Sequence, residues 1–341
     1  MKKSLALMLF VAACGDGGKS DADYQADVVT GMHDSIEIDL QAIIDSAKTL
    51  QAAAPADHGW DATTDKPAID AMKAAWKAAR VAYEHVEGAT APIFPDEDVS
   101  MDERYDGFLA ELGATGDQDL FDDSGVTGMH AIERILYAPD TRQEVIDFEK
   151  LLPGYKAAAF PTNATEAAEF KTQLCQKLID DAQKLHDEWT PSAIDVGAAF
   201  QGLVGLMNEQ KEKVNLAATG EEESRYANIT LFDLRNNLDG TTKIYDYFQP
   251  WIQSKGGDID DNIQLGFTKL NALYSGASGD ALPPVPDTWS SDNPTQADLA
   301  TPFGMMWDGV HKAVDPTVDG TIVFEMNEAA TELGFPEFTE Q

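Results

Sequence analysis

Met72-Lys73-Ala74-Ala75-Trp76-Lys77-Ala78-Ala79-Arg80-Val81-Ala82-Tyr83-Glu84-His85-Val86-Glu87 is the stretch that decides the fold class of this chain. Met72, Trp76, Ala79, Tyr83 and Val86 recur at steps of three and four, so a helix gathers them into one apolar seam. Asp65 can cap that helix, and Pro67 suits its first turn, where a missing N–H costs nothing. The spacing therefore predicts a helix from Asp65 to about Glu87. Near its end, Glu84 and Glu87 stand three apart and aim two carboxylates to one side. Glu87, at the edge of the seam, is expected to be the more buried of the two. His85 points away from the seam and is expected to be solvated. Arg80, one turn before Glu84, offers a plain alternative role for that glutamate as half of an i,i+4 ion pair.

The helical period continues along the chain. Helices are expected at about 24–54, 127–138, 165–189, 192–217, 228–255, 259–275, 295–314 and 318–333, and Thr141-Arg142-Gln143-Glu144 fits a capping box opening one more. No stretch alternates convincingly with period two, so the fold class is all-α. Breaks fall at Ala89–Gly125, at Pro153–Thr165 and at Gly276–Pro294; the last, rich in Pro, Ser, Gly and Asp, reads as a long surface loop. The middle break divides the chain into an N-terminal helical half, 24–155, and a C-terminal half, 162–341. No internal repeat relates the two.

Residues 1–13 read as a signal peptide rather than fold. Lys2 and Lys3 form a positive start, and Ser4 to Ala13 is an apolar run too short to span a bilayer. Val11-Ala12-Ala13-Cys14 resembles a bacterial lipobox, which makes Cys14 the lipidation site and residues 14–23 a flexible tether. The expected product is a membrane lipoprotein facing the periplasm or the cell exterior. Cleavage removes two lysines and no acid, taking the formal charge from -36 to -38. Such a chain is repelled by nucleic-acid phosphates and attracts cations. With Cys14 acylated only Cys175 remains, among Phe170, Leu174 and Leu178 on a helical pattern, so it reads as a small core residue and no internal disulfide forms.

A second pair of ligand-type residues, His130 and Glu133, stands three apart in Gly128-Met129-His130-Ala131-Ile132-Glu133. They share one side with Tyr137, opposite Met129, Ile132, Ile135 and Leu136. On a surface helix the pair would simply be wet; on a helix sandwiched between two halves it would face a cleft. A Glu pair on one helix facing a His/Glu pair on another is how helical bundles build metal sites. Competing motifs fail. Asp258-Ile259-Asp260-Asp261-Asn262 begins like an EF-hand loop, but Ile263 replaces the glycine and Lys269 the bidentate glutamate. Asp96 and Asp98 fail likewise at Met101 and Gly107. There is no His-Glu-x-x-His helix, no Gly-x-Ser-x-Gly elbow and no phosphate-binding glycine loop.

Gly128-Met129-His130-Ala131-Ile132-Glu133-Arg134-Ile135-Leu136-Tyr137 resembles the Gly-x-His-x-x-Glu signature of the imelysin family, which includes EfeO-type iron-uptake proteins. Trp76 to Arg80 followed by Tyr83 to Glu87 looks like the family's earlier helix. Glu222-Glu223-Ser224-Arg225-Tyr226 through Asp233, Asn237, Asp239 and Gly240 is similar to a third block of the EfeO branch. The resemblance implies an all-helical fold of two bundle-like halves with a site in the cleft between them. It implies that His130 and Glu133 are at that site and that Glu84 and Glu87 join them. Met101-Asp102-Glu103-Arg104 matches an Ile-Asp-x-Arg context and nominates Asp102; a third-block glutamate is implied too, Glu222, with Glu223 as the neighbouring register. Asn228 stands where that branch often has His, the stretch from Asp102 to His130 is longer than usual, and no cupredoxin-like domain is read ahead of the helices.

One imidazole among several carboxylates is a hard donor set, favouring Fe, Mn, Ca or Mg over Cu(I), with Zn open. With the resemblance, iron comes first and zinc or calcium second. The leading expectation is a lipid-anchored extracytoplasmic protein for iron binding and uptake, its partners being the metal ion, the membrane through the anchor, and an iron permease or other uptake component. An imelysin-type metallopeptidase is the alternative, although it would need three ligands, an open water position and a base. The third is a module binding a peptide, glycan or heme-like ligand without metal.

Overall fold

Helix α2 (Lys66–Thr90) carries the quoted seam, and Met72, Trp76, Ala79, Tyr83 and Val86 are all buried along it. This computed structural model describes residues 18–190 and 192–339, so Cys14 and the signal-peptide expectation lie outside the described residues. α1 (Asp21–Ala53) is the most extensive neighbour of α2. α1 begins inside the stretch read as tether, because Ser20 and Asp23 close a reciprocal capping box three residues before the expected start. At α2 the cap is different from expectation. Asp65 holds the N-cap position without capping; its carboxylate accepts from the Asp61 amide and pairs with His58, leaving Pro67 to start the helix.

Two helices occupy the first expected break, α3 (Pro95–Asp102) and α4 (Tyr105–Leu112). Each is about two turns, too short for a periodic pattern to emerge. Pro95 and the acidic Asp96, Glu97 and Asp98 in its first turn suit the positive end of α3. α5 (Gly128–Leu136) is buried along its whole length, and α6 (Gln143–Glu149) follows. The expected capping box at α6 does not form: Arg142 is the N-cap residue, and the Thr141 hydroxyl donates to Tyr137 O at 3.2 Å.

α7 (Ala164–Glu169), capped by Asn163, continues through a π-helical turn at Phe170–Leu174 into α8 (Cys175–Trp189). Then come α9 (Val196–Leu216), α10 (Thr230–Lys255), α11 (Ile259–Ser275), α12 (Gln296–Leu299), α13 (Pro302–Val314) and α14 (Ile322–Leu333). Among the described residues there is no β-strand, and the fold is all-α.

Two glycines set the spacing around α2 and α5. Gly240 on α10 lies so close to α2 that a Cβ there would sit 2.3–2.7 Å from the His85 backbone. Gly128 opens α5 at φ +81°, and a Cβ on it would meet the Met101 carbonyl at 2.6 Å. That contact sets the start of α5 against the end of α3, which brings Asp102 beside His130. The Trp76 indole completes the frame by donating to Met129 O at 3.0 Å.

Candidate metal centre

His130 is buried on α5 and has its two ring nitrogens in opposite surroundings. Nδ1 lies 2.8 Å from Glu133 Oε2. Glu133 is itself fixed, its Oε1 accepting from the amides of Tyr226 (3.0 Å) and Ala227 (2.8 Å). Nε2 has no hydrogen-bond partner and faces Asp102 Oδ1 and Glu223 Oε1, each at 3.4 Å. These three ligand-type atoms lie within 4.8 Å of one another, and theirs is the one such group of three among the described residues. The wet-surface reading of His130 and Glu133 is therefore overturned: α5 is enclosed on every side.

Around this triad, carboxylates alternate with buried cations. Arg80, fully buried, pairs with Asp102 and with Glu84, the i,i+4 pair expected from sequence, and its other contacts are Glu223 at 3.4 Å and Asp233 at 3.7 Å. Lys213 on α9 lies 3.3 Å from Glu223 Oε2 and 3.5 Å from Glu87 Oε1. Asn237 on α10 donates to Glu87 Oε2 at 2.8 Å and to Glu84. Burial reverses the expected order: Glu84 is completely enclosed, while Glu87 keeps 14% of its side chain exposed. α10, pressed close by Gly240, covers that flank of α2.

The sequence-nominated residues are thus distributed unevenly. Asp102 and His130 face each other; Glu133 backs His130; Glu84 and Glu87 stand one layer away behind Arg80, Asn237 and Lys213. Glu222 turns elsewhere, pairing with Arg142 on the wall of a different cavity of about 1220 Å³, and its neighbour Glu223 takes the place beside His130. His85 is not solvated either. It is half-buried between Asp39 and Asp239, 3.6 Å from each.

Electrostatics follow from enclosure. Burial disfavours the charged His130, but Asp102, Glu133 and Glu223 outweigh it and raise the imidazole to about 9. Burial pushes Asp102 up to about 6 against the pull of Arg80 and His130, and Asp233 up to about 7 against Arg80. Glu223 is held well below the ordinary carboxylate range: burial is overcome by Lys213, His130 and Arg80. A cavity of about 300 Å³ leads to this cluster, lined by Glu87, Asp98, Asp102, Glu103, Glu209, Glu212 and Glu223 with Arg104 and Lys213. Such a mouth concentrates cations.

The donor set fits a small hard cation. Bonds of about 2.0–2.2 Å put neighbouring ligand atoms roughly 3.0–3.4 Å apart, and His130 Nε2 lies at that separation from both carboxylates. A family model described as Peptidase_M75, imelysin, matches residues 39–297. This chain belongs to the imelysin family.

Relatives and solved structures agree with that placement. The imelysin chain is 29% identical over 201 residues to an Efem/EfeO family lipoprotein of Staphylococcus aureus strain MSSA476, a match covering 59% of this chain and 57% of the relative. The same protein of strain NCTC 8325 matches equally. The match thus spans little more than half the length of these curated relatives. An imelysin-like protein from Psychrobacter arcticum 273-4 superposes with a TM-score of 0.54 at 14% identity, covering 94% of this chain and 99% of the other. A Parabacteroides distasonis ATCC 8503 protein described as an iron-regulated protein A precursor gives 0.58 at 13%, covering 93% and 97%. These two show the shared fold.

Sequence reasoning on this imelysin missed Lys213 altogether and ranked Glu223 second. Glu223 lies in the non-helical stretch between α9 and α10, where helical spacing gives no facing. Lys213 stands in a helix with Lys211 and Glu212 beside it, and nothing in that run marks it as buried.

Proposed function

We propose that this imelysin binds a hard, oxygen-preferring metal ion as cargo, iron first, with His130 Nε2, Asp102 and Glu223 as direct ligands. The observation that carries the reading is the unpartnered, buried Nε2 aimed at two carboxylates. A neutral imidazole would point its lone pair at negative oxygens, so the position calls for a positive charge, either a proton or a metal. Glu133 would hold the ring and fix the tautomer that leaves Nε2 free, the arrangement that outer carboxylates give to metal-bound histidines. Glu84 and Glu87 would act as the outer layer. The acidic mouth supplies an approach for the cation and no attraction for a polyanion.

The family resemblance to Efem/EfeO lipoproteins supports a place in iron uptake, with the chain tethered through Cys14 on the extracytoplasmic side and passing its ion to a membrane uptake component. No helix among the described residues is long and apolar enough to cross a membrane, in keeping with a lipid tether. Zinc or calcium would be held by the same donor types.

The test is anaerobic Fe(II) binding by the untagged protein. His130→Ala and Glu223→Gln should each weaken binding by about 100-fold or more, as loss of one of three ligands, while Glu222→Gln should leave it intact. Equal binding by wild type and a His130→Ala/Glu223→Gln double variant would overturn the assignment. Separately, Cys14→Ser should free the protein from the membrane fraction.

A further inference from the structure

Lys213 has a position and geometry that simple charge balance does not explain. Its ammonium donates to Asn237 Oδ1 at 3.2 Å and lies 3.3 Å from Glu223 Oε2 and 3.5 Å from Glu87 Oε1. Charge-assisted bonds from nitrogen to carboxylate ordinarily close to about 2.7–2.9 Å. Lys213 straddles two carboxylates at stretched distances and is locked to neither. Arg80 differs, since its fork bonds Asp102 and Glu84 directly. An ammonium on a four-carbon stem can rotate away, whereas a bidentate guanidinium resists it.

Both partners of Lys213 belong to the metal layer. Glu223 shows its other oxygen to His130, and Glu87 accepts from Asn237 with its own second oxygen. Lys213 also lines the acidic cavity, together with Glu209 and Glu212 from the same helix. The cavity therefore gives the ammonium somewhere to go, with the Glu209 carboxylate one turn back to receive it.

We propose that Lys213 is a displaceable stand-in cation, holding Glu87 and Glu223 in the metal-free protein, leaving for the acidic cavity when the ion binds, and so setting how readily the ion is released. This rests on the metal reading above. A fixed positive charge this close to a bound cation opposes it strongly even at an effective dielectric of about 20, so affinity depends on where the ammonium goes. A delivery protein needs that property, since an ion held by carboxylates with no competitor would be surrendered slowly.

The experiment uses full-length protein and Fe(II) under anaerobic conditions, with a chromogenic Fe(II) chelator reporting both affinity and the rate of capture. Lys213→Met removes the competitor and should bind at least about tenfold tighter and release at least about tenfold more slowly. Lys213→Arg keeps the charge and should bind no tighter than wild type. Affinity of Lys213→Met within threefold of wild type, or weaker, overturns the proposal. Because that variant leaves carboxylates without their cation and can fail to fold, wild-type protein supplies a second readout. Acylation of lysines, followed by mass spectrometry, should find Lys213 protected without Fe(II) and labelled with it; labelling unchanged at saturation also overturns the proposal. Fe(II) binding by wild type that both tests leave unmoved sinks the Lys213 role alone. Absence of Fe(II) binding by wild type sinks the metal reading and this proposal together.

Discussion

Glu133→Gln separates a residue that steers His130 from one that merely fills space. The substitution keeps shape and keeps one oxygen. In the wild type, Oε1 takes the Tyr226 and Ala227 amides and Oε2 takes His130 Nδ1. In the variant, if the remaining oxygen stays with the two amides, the new NH₂ confronts Nδ1 and demands a lone pair there. His130 must then carry its proton on Nε2, pointing it at Asp102 and Glu223 where the ion should sit. If the amide flips instead, two buried backbone N–H groups lose their acceptor. The flipped arrangement costs about 1–3 kcal/mol of stability through its unmatched buried N–H groups, whereas the first leaves every polar group paired and shows itself in metal binding. Loss of an outer partner of a metal-bound histidine typically weakens metal binding by about 10–100-fold. Fe(II) titration should show a loss in that range, and ¹⁵N spectra of the metal-free variant should show the Nε2–H tautomer. A dissociation constant within threefold of wild type, with unchanged ring-nitrogen shifts, would refute the steering role.

The metal-free protein should lose stability as pH rises from about 5 to 9. Burial pushes Asp98 up to about 8 and Glu209 to about 7, and His130 is raised to about 9, so the folded state binds protons that the unfolded chain has released near 4 for the acids and near 6.5 for the imidazole. Thermal melts should give a higher midpoint at pH 5.5 than at 8.5; the reverse order would contradict this. Metal binding at pH 7.5 should release about one proton, from His130, measurable by calorimetry in two buffers of different ionisation enthalpy; no buffer dependence would exclude Nε2 as a ligand. Gly240→Ala should destabilise the fold by about 1–3 kcal/mol in denaturant titration, because its methyl would meet the His85 backbone. A neutral result would mean that α10 shifts freely against α2.

The all-α class was legible because α2 is long enough for its seam to repeat several times. α3 and α4 were not, since two turns with mixed composition make no period. His130 stood out because Glu133 shares its helix face within a run, Gly128 to Tyr137, that resembles the imelysin signature; the spacing alone also occurs at His33 with Glu37 and at His311 with Asp308. The relation of Glu133 to it was only half visible: spacing puts the two side chains on one face, but the two amides that hold Glu133 come from the distant stretch at Tyr226 and Ala227. The order of burial for Glu84 and Glu87 depended on α10 covering a second flank of α2, which one helix's pattern cannot report. Glu222 and Glu223 differ by one step in irregular backbone, and there only the fold decides which carboxylate faces His130.

The three proposed ligands come from the end of α3, the first turn of α5 and the irregular stretch between α9 and α10. An unfolded chain has no means of gathering them, so an ion bound there acts as a removable cross-link across distant parts of the sequence. Such a cross-link adds about 2.7 kcal/mol of stability when free ion stands at 100 times its dissociation constant, and nothing when the ion is gone. Lifetime in the presence of proteases should then follow metal supply. The loaded protein would persist, and the same chain left empty would be the one cleared.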